Sequence, residues 1–306
     1  MLIDRVELAD STSSERIVAE ILRQVPDLPI PVPIEELATA VGITAIHRMT
    51  TDNFEGGLIT QPERRDGVIL VNGGANRLRQ RYTVGHELGH YLIASHQPGD
   101  TGQFTCSKSD MNIRKADHDN RNQRMEAEAN RFSAGMLMPL VKFKADMRSQ
   151  GGPDLNHVVA LAARYDVSKE ATAIHYTTYH HGMRAIILSQ DGMVKRVYKP
   201  TRFPFVEAAI GKPLPHNSLS ASYQNSGAAW DEVDRGVWLA SLDRPSTVNE
   251  QALCLANGFV GALGRFGESH GCDGCDDIRR GWAWNSAQRL DQADFSGRGD
   301  HERQRS

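Results

Sequence analysis

The sequence predicts an α+β fold in which a small sheet packs on two helices that carry chemical groups. Three short β-like runs, at 43–49, 57–60 and 67–72, are bounded by Gly, Asp or Asn, which is typical of short strands. Apolar residues then recur with a helical period over 75–96 and again over 122–138. These patterns together favour a small sheet on a first helix, with a second long helix beside it.

The composition is that of a globular chain. Of 306 residues, 40% are hydrophobic and 24% charged, which excludes a disordered or collagen-like chain. The length suits either one large unit or two to three smaller ones. With 35 basic and 38 acidic residues the formal charge is −3, so no overall field attracts the chain to nucleic acid or to an anionic membrane. We therefore expect neither partner to bind directly.

Location is predicted from the N-terminus and from the cysteines. Acidic residues such as Asp4 and Glu7 lie where a signal peptide has a basic region, and no apolar run is long enough to span a membrane. Four cysteines are too few for a disulfide framework in a chain of this length, which fits a reducing compartment. A cytoplasmic protein is the expectation.

The remaining segments complete the predicted fold. Two short helices at 14–25 and 34–41 precede the sheet, and the polar residues 97–120 are interpreted as a long loop. A helix pair at 155–179 and a hairpin at 185–198 follow the second long helix. We divide the chain into a first domain at 1–182 that includes the helix pair, a smaller α/β unit at 183–267 and a mobile polar tail at 268–306.

His86-Glu-Leu-Gly-His90 is the sharpest chemical motif. The two histidines are one helical turn apart, so both imidazoles leave the same face and can bind one tetrahedral zinc ion. Glu87 is placed to accept a proton from a water at the metal and to pass it to a leaving amine. Zinc suits these donors best, although manganese or iron would also accept two histidines and a carboxylate.

A catalytic zinc needs a third protein ligand, and the second long helix offers Glu126 and Glu128. With 3.6 residues per turn they point roughly 200° apart, so only one of them can reach the metal. Glu126 lies beside the apolar face of the helix, which favours it, and Glu128 is expected to face solvent. Three rival third ligands remain from the helix end and the loop: His96, Asp117 and His118.

The segment 80–90 around these histidines, followed about forty residues later by Glu126-Ala-Glu-Ala-Asn130 and its continuation to Pro139, resembles the ImmA/IrrE family of metallopeptidases. Pro33-Ile-Glu-Glu-Leu-Ala, Gly56-Gly-Leu-Ile and Val68-Ile-Leu-Val-Asn72 are also similar to that family. The resemblance covers roughly residues 14–180, and its two motifs are specific as a pair. Gly135 departs from the family, which usually has a larger residue there.

The resemblance implies a zinc-dependent endopeptidase with His86, His90 and Glu126 as ligands and Glu87 as general base. It also matches Asn130 to an asparagine that the family carries four residues after its glutamate ligand. Characterised members cut a helix-turn-helix transcriptional repressor, so the implied partner is a protein substrate of that kind. The residues themselves do not specify this substrate, its cleavage site, the trigger or the oligomeric state.

Three alternatives remain open. The chain could be a binding module for a regulator, with a structural or vestigial metal site. The helix pair at 155–179 could be a DNA-binding helix-turn-helix, although its second helix has a single lysine, too little charge to hold phosphates strongly. His270, Cys272 and Cys275 could form a metal site in the tail, although one Cys-x-x-Cys is only half of a structural zinc site.

Overall fold

The computed structural model describes residues 1–266 apart from 10, 12, 53, 98–102, 114–116, 118, 181, 183, 202, 204–205, 224–227, 240–246 and 255–258. The tail expected at 268–306, with His270, Cys272 and Cys275, therefore lies outside the described residues. The fold is α+β, as the sequence predicts. None of the helices in the described part is long and apolar enough to cross a membrane.

The first part of the chain contains, in order, α1 (Arg5–Ala9), α2 (Ser14–Gln24), α3 (Ile34–Ala40), β1 (Ile43–Met49), β2 (Gly56–Thr60), β3 (Gly67–Asn72), α4 (Arg77–Leu92), β4 (Phe104–Cys106), α5 (Arg121–Leu137), α6 (Leu140–Ser149), α7 (Leu155–Tyr165) and α8 (Lys169–Tyr179). The second part contains β5 (Arg184–Gln190), β6 (Met193–Tyr198), α9 (Leu219–Ser222), β7 (Ala228–Asp234), β8 (Thr247–Cys254) and β9 (Phe259–Phe266).

The first sheet has the strand order β1-β3-β2-β4. β1 and β3 run parallel, whereas β2 is antiparallel to both of its neighbours. Alternate residues of β3, including Ile69 and Val71, are fully buried beneath the helices, as expected of a strand with one covered face. β4 and the short 3-10 turn Asp110–Asn112 lie inside the segment interpreted as a loop, so that interpretation was wrong for these residues.

The second sheet is antiparallel throughout, with the order β6-β5-β9-β8-β7. Both faces of β5 are covered because its side chains alternate: Ile186 joins the core of the first part, and Ala185 and Ile187 join a separate cluster around Phe203 and Trp238. Strands predominate here, and the described part of the expected α/β unit has a single short α-helix, α9.

The helix pair α7 and α8 packs against the second sheet. The backbone N–H of Leu155 donates to Gln251 Oε1 on β8 (2.6 Å), and Gln251 Nε2 donates to Asp154 (2.8 Å). Tyr176 on α8 is buried in the same core cluster as Ile186. A hydrophobic core therefore continues across residue 183, and the described helix pair uses one face for packing.

Candidate metal centre

α4 carries both histidines, and its sequence explains why it packs so closely on α5. Asn76 caps the helix by accepting a hydrogen bond from the Arg79 N–H (3.0 Å). Gly85 and Gly89 line the face toward α5, where a Cβ would come within 2.6 Å of Ser133 Oγ or within 3.1 Å of Ala129 Cα. The glycines therefore let the two helix backbones approach closely, which brings residues of both helices to one centre.

His86, His90 and Glu126 meet at this centre. The Nε2 atoms of the two histidines are 3.1 Å apart, and the Glu126 oxygens lie 3.1 Å from His86 Nε2 and 3.4 Å from His90 Nε2. Ligand atoms around a tetrahedral zinc ion at 2.0–2.1 Å are about 3.3 Å apart. Glu126 Oε2 lies close to His86 without aligned hydrogen-bond geometry. This donor set fits a shared metal ion.

Asn130 fixes the orientation of His86. Its side-chain oxygen accepts hydrogen bonds from His86 Nδ1 (2.9 Å) and from the Tyr82 hydroxyl (2.8 Å). Its amide nitrogen donates to the backbone oxygens of Ile113 (2.9 Å) and Asp110 (3.2 Å), so the amide cannot turn round without losing these bonds. Because Nδ1 of His86 carries the proton, Nε2 keeps its lone pair for a metal ion.

A second chain of hydrogen bonds fixes His90 through His96 and Glu128. His90 Nδ1 lies 3.0 Å from His96 Nδ1, and His96 Nε2 lies 3.1 Å from Glu128 Oε2. If Nε2 of His90 faces a metal, its Nδ1 must donate to His96, which in turn donates to Glu128. His96 and Glu128 therefore act behind His90, and Glu128, expected to face solvent, is instead partly covered and paired.

Glu87 lies next to these donors, on the same helix as both histidines. The side chain is fully buried, and neither carboxylate oxygen has an aligned hydrogen-bond partner among the described residues. A Cβ on Gly56 would come within 2.5 Å of Glu87 Oε1, so only glycine leaves room for the carboxylate at that position of β2. Burial raises the pKa of Glu87 to about 7, although the neighbouring His86 opposes this effect.

The protonation states of the other donors suit metal binding. Burial lowers the pKa of His90 to about 4, so its imidazole is neutral near pH 7. Although burial acts in the opposite direction, the adjacent rings of His86 and His90 hold the pKa of Glu126 well below its usual range. Burial would also lower the pKa of His86, but Glu126 and Glu87 raise it overall. A bound cation would replace that proton.

Cys106 joins the cluster from β4 and was missed by the sequence reasoning. Its Sγ lies 3.7 Å from His90 Nε2, and the four donor atoms of His86, His90, Cys106 and Glu126 all lie within 4.8 Å of one another. Burial, together with Glu87 and Glu126, raises the pKa of this thiol well above its usual value. The only sequence signal was the alternation Phe104-Thr-Cys106, which is too short to predict a strand.

Asp117, another of the rival ligands, is not part of the cluster. Asp117 is exposed, and its backbone N–H donates a hydrogen bond to Gln123 Oε1 (2.9 Å). His118 lies outside the described residues. The structure thus brings together His86, His90 and Glu126, with Glu87 beside them, as the sequence predicts, and it places His96 one hydrogen bond behind His90.

Comparison with known proteins is informative for one part of the chain. No curated protein matches the sequence. A solved structure described as a Mycobacterium tuberculosis transcriptional regulator aligns over 85% of this chain and 73% of its own, with 14% identity and a TM-score of 0.44, too distant a likeness to assign a function. Residues 38–176 match the model of the Peptidase_M78 family, described as an IrrE N-terminal-like domain. Over these residues the chain is thus similar to the family that its motifs resemble.

Proposed function

We propose that this chain is a zinc-dependent endopeptidase, with His86, His90 and Glu126 as metal ligands and Glu87 as general base. The observation that carries the proposal is a fully buried carboxylate without an aligned partner beside three converging donors. A buried charge is costly unless a ligand or a proton compensates it. The peptidase family of residues 38–176 supports the same activity.

The chemistry follows from what each side chain can do. A zinc ion bound here would polarise the peptide carbonyl and make an attacking water more acidic. Asn130 and His96 orient the two imidazoles, so the ligands need little rearrangement. Glu87 accepts a proton from the water as its oxygen bonds to the carbonyl carbon, and returns that proton to the amine nitrogen as the C–N bond breaks.

β4 offers a way to hold the substrate. Among the described strands it pairs only with β2, so its other edge is available to an extended peptide. Thr105, at the middle of β4, is exposed, whereas Phe104 and Cys106 face inward. Main-chain hydrogen bonds to such an edge would lay a peptide beside the metal centre. Following the family, we take a helix-turn-helix repressor in the cytoplasm as the substrate, with 1–182 as the catalytic domain and 183–267 as a second unit.

The alternative is a binding module with a structural metal site. Cys106 favours it, because four protein donors would close the coordination sphere, as in structural zinc sites. The two functions make different demands on Glu87. A peptidase needs its carboxylate, whereas a binding module does not.

Elemental analysis tests the metal centre first. We expect about one zinc per chain in the wild type, and loss of that metal in His90→Ala and Glu126→Ala. Glu36→Ala, which removes an exposed acid of α3 away from the cluster, is the control and should keep the metal. Serines at Cys272 and Cys275 exclude metal held by the tail. A wild type that neither contains zinc nor takes it up on titration would overturn the proposal.

Cleavage is tested with a proteome-derived peptide library and with purified helix-turn-helix repressors, read by mass spectrometry. Glu87→Gln should keep the metal and lose cleavage by at least 100-fold, because it removes the general base. Glu128→Gln should still cleave. Equal products from the wild type and Glu87→Gln would favour the binding module.

A further inference from the structure

We propose that Cys106 is a fourth protein ligand of this metal centre, so that the resting site is a closed set of two imidazoles, a carboxylate and a thiolate. The inference rests on the proposed function in that it requires a metal at His86, His90 and Glu126. It goes beyond that function because a peptidase needs three protein ligands and an open position.

The position of Cys106 is set by the backbone of the first sheet. Cys106 is paired with Gly56 in the β2–β4 register, and its backbone oxygen accepts a hydrogen bond from the Glu55 N–H (3.1 Å). The alternation of the strand turns its thiol to the covered face, where the residue is 1% exposed. The sheet thus delivers the thiol to the same side as α4.

The separations of the donor atoms suit a shared ion. With zinc–sulfur at about 2.3 Å and zinc–nitrogen at about 2.05 Å, the sulfur and nitrogen of a tetrahedral site are about 3.6 Å apart. Cys106 Sγ lies 3.7 Å from His90 Nε2. The widest separation in the four-donor set is 4.8 Å, which an ion bound by all four groups would shorten.

Glu87, whose charge also acts on the Cys106 thiol, is a second sign of a ligand at this place. It is fully buried, its oxygens lack aligned partners among the described residues, and Gly56, directly opposite Cys106, is the residue that leaves it room. A buried carboxylate without an aligned hydrogen-bond partner, beside two imidazoles, a second carboxylate and a thiol, indicates a site for a cation.

The consequence for the proposed peptidase is a resting state without an open position. A thiolate bound to the ion would take the fourth position, which a peptidase needs for water or the substrate carbonyl. Catalysis then requires Cys106 to withdraw, and the edge strand that carries it is the same strand proposed to bind the substrate peptide. Substrate binding and opening of the site are therefore linked through β4.

Cobalt substitution tests the ligand directly. The protein is prepared with Cys272 and Cys275 replaced by serine, which removes the closely spaced thiols of the tail, and is loaded with Co²⁺ alone. We expect one equivalent to bind, with visible ligand-field bands of a four-coordinate ion and an intense near-ultraviolet thiolate-to-cobalt band. Cys106→Ser should keep the metal and lose the near-ultraviolet band. Cys254→Ser, which changes a partly exposed cysteine of β8, should keep both.

X-ray absorption of the zinc form is the second measurement, with one sulfur neighbour expected at about 2.3 Å in the wild type and none in Cys106→Ser. If the metal binds with no thiolate band and no sulfur neighbour, Cys106 is only a small buried residue and this inference is wrong, while the peptidase proposal is unaffected. If no metal binds in any form, the proposed function fails first.

Discussion

Glu87 and Glu250 are both fully buried glutamates, and they are treated in opposite ways by the fold. Glu250 on β8 accepts hydrogen bonds from Trp238 Nε1 (2.8 Å), from the Ser220 N–H (2.9 Å) and hydroxyl (2.5 Å), and from the Leu219 N–H (3.1 Å). Glu87 has no aligned partner in the described part of the chain.

The difference separates structure from function. Donors around Glu250 replace the water it lost, so that carboxylate ties α9 and Trp238 to the second sheet. Glu87 is buried without such compensation, which reduces the stability of the metal-free protein unless the group is protonated. Substitutions at both glutamates therefore test whether the burial of Glu87 serves ligand binding instead of stability.

The largest effect is expected from Glu250→Ala. It leaves the indole N–H of Trp238 and two backbone N–H groups buried without an acceptor, which should lower the free energy of unfolding by about 4 kcal/mol. Urea denaturation measures the loss. Glu232→Ala, which removes an exposed acid of β7, should change stability by less than about 0.5 kcal/mol. Equal losses in the two variants would show that Glu250 is not a structural anchor.

Glu87→Gln should raise the free energy of unfolding of the metal-free protein, in contrast to Glu250→Ala. The pKa of Glu87 is raised from 4.5 to about 7. The folded state therefore bears no cost from this group below pH 4.5, where the carboxyl is protonated, and it loses stability as the pH rises through 7 and the buried group becomes charged. Glu87→Gln should therefore stabilise the metal-free protein, prepared with a chelator, by about 3 kcal/mol at pH 8 and by little at pH 4.5. Urea denaturation at the two pH values measures this, and parallel pH profiles for both proteins would contradict it.

Gly56→Ala tests the space around Glu87. The added Cβ would lie 2.5 Å from both Glu87 Oε1 and Thr83 Cγ2, so we expect a loss of about 2 kcal/mol. In a Glu87→Ala background the loss should fall to about 1 kcal/mol, because the contact with Glu87 is gone while those with Thr83 Cγ2 and Met111 Cε remain. Gly135→Ala is the control: its Cβ would meet Val18 at an ordinary 3.5 Å, and helix propensity should make it neutral or stabilising. A loss at Gly56 that is independent of Glu87 would contradict the steric account.

The smallest effect is expected from Glu128→Gln. It keeps a hydrogen-bond acceptor for His96 but removes the negative charge at the end of the hydrogen-bond series His90–His96–Glu128. The dissociation constant for zinc should rise about tenfold, as is typical when a partner of a metal-binding histidine is altered. Isothermal titration against a competing chelator measures this change. Glu36→Gln, an exposed acid of α3, should leave the affinity unchanged.

Much of this arrangement was predictable because it depends on local periodicity. The strands at 43–49 and 67–72 agree with β1 and β3, and the helical period correctly separates Glu126 from Glu128. Each prediction needed only a repeat of two or 3.6 residues within one segment.

Contacts between distant segments could not be predicted in this way. Cys106 reaches the site through a three-residue strand whose position depends on pairing with β2, and His96 does so through the turn after α4. α6 was also not predicted as a separate helix, since Pro139 indicated only where α5 ends. The donors of Glu250 likewise come from two separate places in the chain, the start of α9 and Trp238.

The close packing of α4 on α5 has a consequence for which ions the protein accepts. Gly85 and Gly89 let the two helix backbones lie in close contact. This contact limits how far the donor atoms of His86 and His90 can move apart from those of Glu126. An ion such as magnesium, which prefers six oxygen neighbours and retains its waters, does not suit such a site. Ions that accept four ligands do. Gly85 and Gly89 therefore contribute to the choice of metal ion, although neither has a side chain that could bind it.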